Sequence, residues 1–246
     1  MKKRKQMFFW NRKKSLNETG IFKGFRDYHS HILYGVDDGV KTLEEALDIL
    51  SLYESLGFSE VWLTPHIMED IPNETARLKS RFEELKNAYR EKLRGDLELH
   101  LAAEYMLDPL FEERLRTGDL LPIGKEGNHL LVETSYYNAP GDLYHLLEMV
   151  KSKGYYPLLA HPERYRYMEE KDYERLRKMG VKFQLNLPAL AGMYSSHTEQ
   201  KAYRLLEKGY YDVAGNDIHS FRSFLQVTER KTIQSKRLKH LQPKEL

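Results

Sequence analysis

The chain has no cysteine among its 246 residues. That excludes disulfides, thiolate nucleophiles and cysteine-type zinc sites, so any bound metal has to be held by His, Asp or Glu. Oxygen and nitrogen donors of this kind suit manganese, iron or zinc in a catalytic site better than a structural zinc. Also missing is any apolar run approaching the ~20 residues that span a bilayer, and the N-terminus lacks the apolar core of a signal peptide. The expected location is the cytoplasm. There is no phosphate-binding loop of the G-x-x-x-x-G-K-[ST] kind, which leaves nucleoside-triphosphate hydrolysis by that route without support.

Charge is unevenly spread. The formal net charge is +2, yet seven of the 39 basic residues lie in residues 1–14, which hold no acid, so residues 15–246 carry 32 basic against 37 acidic groups, a net −5. A body of that sign is not a nucleic-acid binder. The basic arm surrounds Phe8, Phe9 and Trp10, a composition of either a solvated flexible tail or a segment that touches an anionic membrane from residues 2–14. Residues 1–20 are expected as this arm, 21–235 as a single catalytic barrel and 236–246 as a basic tail. A chain of this length buries a full core and is long enough for one α/β barrel.

The stretch that organises the remainder is Asp27-Tyr28-His29-Ser30-His31. Phe25 to His29 reads as a strand, and histidines two apart on a strand share a face, where two imidazoles can grip one metal ion. Thr42 with Glu45 then gives a capping pattern for a helix that runs to Gly57. Further strands are expected at Glu60–Pro65, Leu97–Glu104, His129–Thr134, Tyr156–Ala160, Val181–Leu187 and Tyr211–Asn216. Helices are expected over residues 74–94, 141–153, 169–179 and 199–208 and from Ser223 onward. Seven strands alternating with helices argue for a parallel sheet that closes into a barrel.

The polar residues fall in one place on that scheme. His29, His31, His66, Glu104, Glu133, His161, Asp217 and His219 all sit at or just past the C-terminal ends of expected strands, the rim on which barrels build active sites. Buried carboxylates and imidazoles are costly unless paired or metal-bound, so this set points to a metal centre.

The same residues carry a family resemblance. Asp-Tyr-His-Ser-His-Ile-Leu-Tyr-Gly-Val-Asp-Asp-Gly from residue 27, Thr-Pro-His at 64–66, Ala-Ala-Glu at 102–104 and Leu-Val-Glu at 131–133 come first. Ala-His-Pro-Glu-Arg at 160–164, Leu-Ala-Gly at 190–192 and Asn-Asp-Ile-His at 216–219 follow in the same order. Together they resemble the polymerase and histidinol phosphatase (PHP) superfamily, and within it the CpsB/YwqE-type bacterial tyrosine-protein phosphatases of capsule and exopolysaccharide regulation. The resemblance implies a distorted (β/α)7 TIM-like barrel with its site at the C-terminal ends of the strands. It implies three divalent ions, most often Mn2+, with iron or zinc as alternatives. One ion would sit on His29, His31, Glu104 and Asp217, a second on Glu104, Glu133 and His161, and a third on Asp38, His66 and His219. Asp38 is preferred to its neighbour Asp37, which is read as ordering the loop. Arg164, His161 and Asp217 would take the catalytic roles, with Arg164 facing the phosphoryl group.

Phosphate monoester hydrolysis is among the slowest uncatalysed reactions, and the barrier reduction it needs is largely electrostatic. Three divalent ions, four carboxylates and a bridging hydroxide leave the cluster at about +1, and Arg164 raises it to about +2, a match for a phosphate dianion. A metal-activated hydroxide is the expected nucleophile, because no phosphocysteine can form. The implied substrate is a phosphotyrosine protein, in the family the tyrosine-rich cytoplasmic tail of a membrane tyrosine kinase. A small phosphoester such as histidinol phosphate is the alternative substrate, and a non-catalytic docking module the alternative role.

Two departures from the family pattern concern substrate contacts. Gly-Asn-Asp-Ile-His stands where many relatives have Ser-Asp-Ala-His, and Arg222 comes three residues beyond His219 rather than about five. Arg222 and Tyr34, on the loop after His31, are further candidate substrate contacts. His100, His129, His145, His197 and His240 are read as core or surface histidines. The 17 tyrosines, Tyr136 and Tyr137 among them, are read mainly as half-buried helix and strand positions that in part line a cleft.

Overall fold

The computed structural model describes residues 13–241 and 245–246. The membrane-contact expectation therefore falls largely outside the described residues. The part of the expected arm that is described is folded. Ser15 caps the single turn α1 (Leu16–Thr19), its hydroxyl accepting from the Glu18 N–H while the Glu18 carboxylate accepts from the Ser15 N–H. Leu16 is buried, and Lys14 exchanges two backbone hydrogen bonds with Ile233. The Ser-x-x-Glu capping box is the sequence signal for this turn.

From there the chain alternates strand and helix: β1 (Arg26–Ser30), α2 (Leu43–Leu56), β2 (Glu60–Leu63), β3 (His66–Ile67), α3 (Thr75–Lys92), β4 (Glu98–Leu101), β5 (Glu104–Met106), α4 (Pro109–Thr117) and β6 (His129–Glu133). It continues through α5 (Leu143–Ser152), β7 (Tyr156–Ala160), a 3₁₀ turn (Pro162–Arg164), α6 (Glu170–Lys178), β8 (Lys182–Asn186), α7 (Leu187–Leu190), α8 (Ser196–Glu207), β9 (Val213–Gly215) and α9 (Phe221–Glu229). Every strand pair is parallel, in the orders β1-β2-β4 and β3-β5-β6-β7-β8-β9. Asp217 N–H donates to His29 O and His31 N–H to Ile218 O, so the end of β9 returns to β1 and the sheet curls round. The expected α/β fold, a distorted barrel of seven strand positions with helices outside, is the observed one.

Two of those positions are interrupted. The stretch 97–104, expected as one strand, is two, β4 and β5, and β2 likewise gives way to β3. Pro65 stands at the interruption and has no N–H to continue the ladder, although its carbonyl still accepts from Glu104 N–H. α4 is a further helix beyond those expected, and its signal is Asp108-Pro109, an N-cap whose carboxylate accepts from Phe111 N–H, followed by proline in the first turn.

Strand alternation separates two apolar layers. Leu131, Leu158, Ala160 and Val213 meet Tyr28 and Trp62 within the sheet, while Leu130, Val132 and Leu159 join the larger layer under the helices. At the C-terminal ends of these same strands the apolar interior gives way to buried histidines and acids. Among the described residues no helix is long and apolar enough to cross a membrane.

Candidate metal centre

His29 and His31 project from β1 to one face, with their Nε2 atoms 3.1 Å apart. Each ring is oriented from behind. His29 Nδ1–H donates to Gln184 Oε1 at 2.9 Å and His31 Nδ1–H to Asp37 Oδ2 at 2.8 Å, so both Nε2 lone pairs turn inward. Glu104 Oε2 lies 3.1 Å from His29 Nε2 and 3.3 Å from His31 Nε2, and Asp217 Oδ1 lies 3.6 and 3.4 Å from the same atoms. These are all acceptors, buried and converging on one point. Only a cation or added protons can hold such a set together.

A second convergence adjoins it. His66 Nδ1 is 3.2 Å from Glu104 Oε2 and 3.2 Å from Glu133 Oε1, yet it makes no hydrogen bond though buried. His161 Nε2 is 3.0 Å from Glu104 Oε1 and 3.8 Å from Glu133 Oε2. A third set, His31, Asp38, His66 and His219, places ligand atoms within 4.8 Å of one another. Asp38 Oδ1 is 3.6 Å from His66 Nε2 and 3.5 Å from His219 Nε2, whereas both Asp37 oxygens are taken by His31, Gly39 N–H and His66 N–H. Asp38 thus faces the centre and Asp37 holds the loop. Glu104 stands between the first two sets.

The backbone is bent to make this arrangement. His161 and Asp217 adopt the left-handed region, at φ 33° and 49°, which a residue with a β-carbon holds only when its surroundings enforce it. Gln184 Oε1 accepts from His161 N–H, and His29 O accepts from Asp217 N–H at 2.7 Å. Gly215 is required beside them, because a β-carbon there would lie 2.5 Å from His29 Cβ.

Electrostatics follow from the crowding. Burial raises the Glu104 and Asp217 carboxyls, but the neighbouring imidazoles, His29 first, outweigh it and hold both well below the usual carboxylate range. Burial opposes charge on His29, and Glu104 and Asp217 override it, lifting the imidazole to about 9. The donor set, imidazole nitrogens and carboxylate oxygens converging with an orphaned buried Nδ1 on His66, fits divalent ions of the Mn, Fe and Zn class.

Arg164 reaches the same place from the 3₁₀ turn. Its Nη1 donates to Asp217 Oδ2 at 2.7 Å, and its guanidinium lies 4.2 Å from the ring centre of Tyr136 and 4.7 Å from that of Tyr194. Asn186 Nδ2 donates to both Asp217 Oδ2 and Tyr194 Oη. Arg164, Tyr136 and Tyr194 line a cleft of about 640 Å³ together with Tyr137, Arg166 and the start of α8. Tyr34 is elsewhere, its hydroxyl donating to Glu84 and its ring beneath Arg81. Arg222 is exposed on the first turn of α9 and does not line the cleft. A separate group, Glu60, Glu98 and His100, lies at β2 and β4, where Glu60 is already bonded to Trp62 and Arg26.

A family model for capsular polysaccharide synthesis, CpsB/CapC, matches residues 25–232. The chain belongs to the CpsB/CapC family. It is 25% identical over 203 residues to the tyrosine-protein phosphatase YwqE of Bacillus subtilis (strain 168), covering 80% of this chain and 78% of that one. It is 29% identical over 209 residues to the tyrosine-protein phosphatase CpsB of Streptococcus pneumoniae, covering 80% and 84%. Its fold is similar, at a TM-score of 0.74 and 23% identity over 88% of this chain and 86% of the other, to a structure from work on YwqE and CpsB as metal-dependent tyrosine phosphatases.

Three residues of this CpsB/CapC chain that serve the centre are not singled out from sequence: Gln184, Asn186 and Tyr194. Gln184 and Asn186 carried a readable signal, as polar residues on one face of an otherwise apolar strand. Tyr194 carried none, since its place in the cleft depends on how α7 and α8 pack.

Proposed function

We propose that the chain is a metal-dependent protein-tyrosine phosphatase that hydrolyses phosphotyrosine monoesters at this centre. The observation that carries the reading is the junction of acceptor-lined centre and aromatic cleft, with Arg164 between them. A phosphoryl group and the phenol ring that bears it need adjacent cationic and aromatic surroundings. The names of the relatives support the same reading.

Three divalent ions are proposed, Mn2+ first, with iron or zinc compatible with the donors. His29, His31, Glu104 and Asp217 would hold one, Glu104, Glu133 and His161 a second, and Asp38, His66 and His219 a third. Bound there, the ions supply water with its pKa lowered to near ~7 and positive charge for phosphoryl oxygens. The chain's own residues supply position. Asp217 and the flanking rings fix the Arg164 fork, leaving its remaining N–H groups to bind phosphoryl oxygens. Tyr136 and Tyr194 exclude water from that contact and offer flat walls to the substrate ring. Since the chain lacks cysteine, transfer to a thiolate plays no part.

The physiological substrate proposed is the tyrosine-rich cytoplasmic tail of a membrane tyrosine kinase controlling capsule or exopolysaccharide synthesis. The basic residues 2–14 would keep the enzyme at the inner membrane surface and raise its local concentration. The test is hydrolysis of a phosphotyrosine peptide and of histidinol phosphate by metal-stripped protein, with and without added manganese. Manganese-dependent release from the peptide, abolished by His161→Ala, is the expected result. Release from histidinol phosphate alone would move the function to small-molecule metabolism, and release from neither would end the enzymatic reading.

A further inference from the structure

The cleft contains a second guanidinium that the chemistry above does not use. Arg166 lies two residues beyond Arg164, and Tyr165 between them is extended at φ −73° and ψ 115°. The two arginines therefore project to the same side, into the cleft, while the Tyr165 side chain is buried on the other. Arg166 N–H donates to Tyr136 O at 2.8 Å, which ties the segment to the loop after β6. The guanidinium lies 4.8 Å from the ring centre of Tyr137, itself 62% exposed. It has no carboxylate partner among the described residues. His197, at the start of α8, is exposed on the wall of the same cleft.

The main chain that carries this cation is held in place. Lys201 is buried, and its Nζ donates to Tyr165 O at 2.7 Å and to Met168 O at 3.0 Å, fixing the chain on either side of Arg166. A buried ammonium spent on two main-chain carbonyls on either side of Arg166 sets that segment's shape. A cleft of about 640 Å³ leaves room beside a phosphotyrosyl side chain for a flanking residue of a peptide.

We propose that Arg166, with Tyr137 and His197, forms a subsite for an acidic side chain next to the phosphotyrosine, so that the cleft selects phosphotyrosine peptides flanked by Asp or Glu. The proposal rests on the phosphatase reading and names the substrate class of that site. A carboxylate bound at the edge of the Arg166 guanidinium, which lies over Tyr137, completes its fork with charge-assisted hydrogen bonds. Without such a partner, the segment presents an ordered charge to water.

The experiment uses the full chain loaded with manganese and three peptides that differ only in carrying Asp, Asn or Lys beside the phosphotyrosine. The ratio of kcat/KM between peptides is read within each protein, so that a general loss of activity cancels. The native protein is expected to favour Asp over Asn by about 10-fold, the ratio corresponding to one charge-assisted contact, and to lose part of this at high salt. Arg166→Ala should bring the ratio near one, and Arg166→Glu should turn the preference towards Lys. A native ratio near one, or an Asp preference that survives both substitutions, overturns the subsite while leaving phosphotyrosine hydrolysis standing. Absence of hydrolysis from all three peptides would instead overturn the phosphatase reading, and the subsite with it.

Discussion

Gln184 acts on the candidate metal centre from behind. Its Oε1 accepts from His29 Nδ1–H and from His161 N–H, so one amide sets the tautomer of one candidate ligand and the main-chain position of another. Leucine at that position fills a similar volume and removes the acceptor. Gln184→Leu is expected to lower manganese affinity by about 10–100-fold, the usual size of an effect transmitted through a ligand's outer hydrogen bond. Calorimetric titration of the stripped protein with manganese would measure it, and unchanged affinity would mean that β1 alone orients His29.

Between elements, the decisive contact is the one that joins the first strand to the last. Asp27 on β1 is fully buried and accepts four hydrogen bonds, from His29 N–H and Asn216 N–H on Oδ1 and from Tyr53 Oη and Asn216 Nδ2 on Oδ2. Burial pushes its carboxyl above the usual range, and these donors work against that. Asp27→Asn would set an NH2 group against a donor whichever way the amide turns. The expected loss is about 1–3 kcal/mol, the range for a buried group left without its partner, read as a lower urea midpoint. Manganese affinity should fall with it, because the same carboxylate positions His29 and the residue before Asp217.

Across the whole molecule, the rim with the metal centre is polar and the opposite end of the strands carries His129, at the start of β6. His129 is buried with neither ring nitrogen hydrogen-bonded, and burial, helped by Lys182, pushes its imidazole down to about 4. In the unfolded chain the ring takes up its proton near ~6.5. Unfolding therefore binds a proton between those values, and the stability that His129 supports is complete above about pH 6.5 and lost as pH falls towards 4. His129→Phe keeps the contact with Tyr156 and removes the titration. Its urea midpoint, compared with that of the native protein, should gain between pH 7 and pH 4.5 in that window (about two and a half units wide). Parallel midpoints across the window would show that His129 protonates without cost.

The chain's order of residues was enough to determine the alternation of strand and helix, and with it the placing of His29, His31, His66, Glu104, Glu133, His161, Asp217 and His219 on one rim. Those facts depend on local periodicity and on the handedness of parallel crossovers, both written in short stretches. What only the tertiary structure decided is which atoms meet. Pro65 and the pairing of Glu104 with it split two strands, Asp37 turned back to His31 and left Asp38 facing the centre, and Tyr34 was drawn off to Glu84. Gln184, Asn186 and Tyr194 came to the site through contacts between segments far apart in sequence. A side chain's partners depend on packing and on the balance of burial against charge over the whole fold, and no local pattern contains that balance.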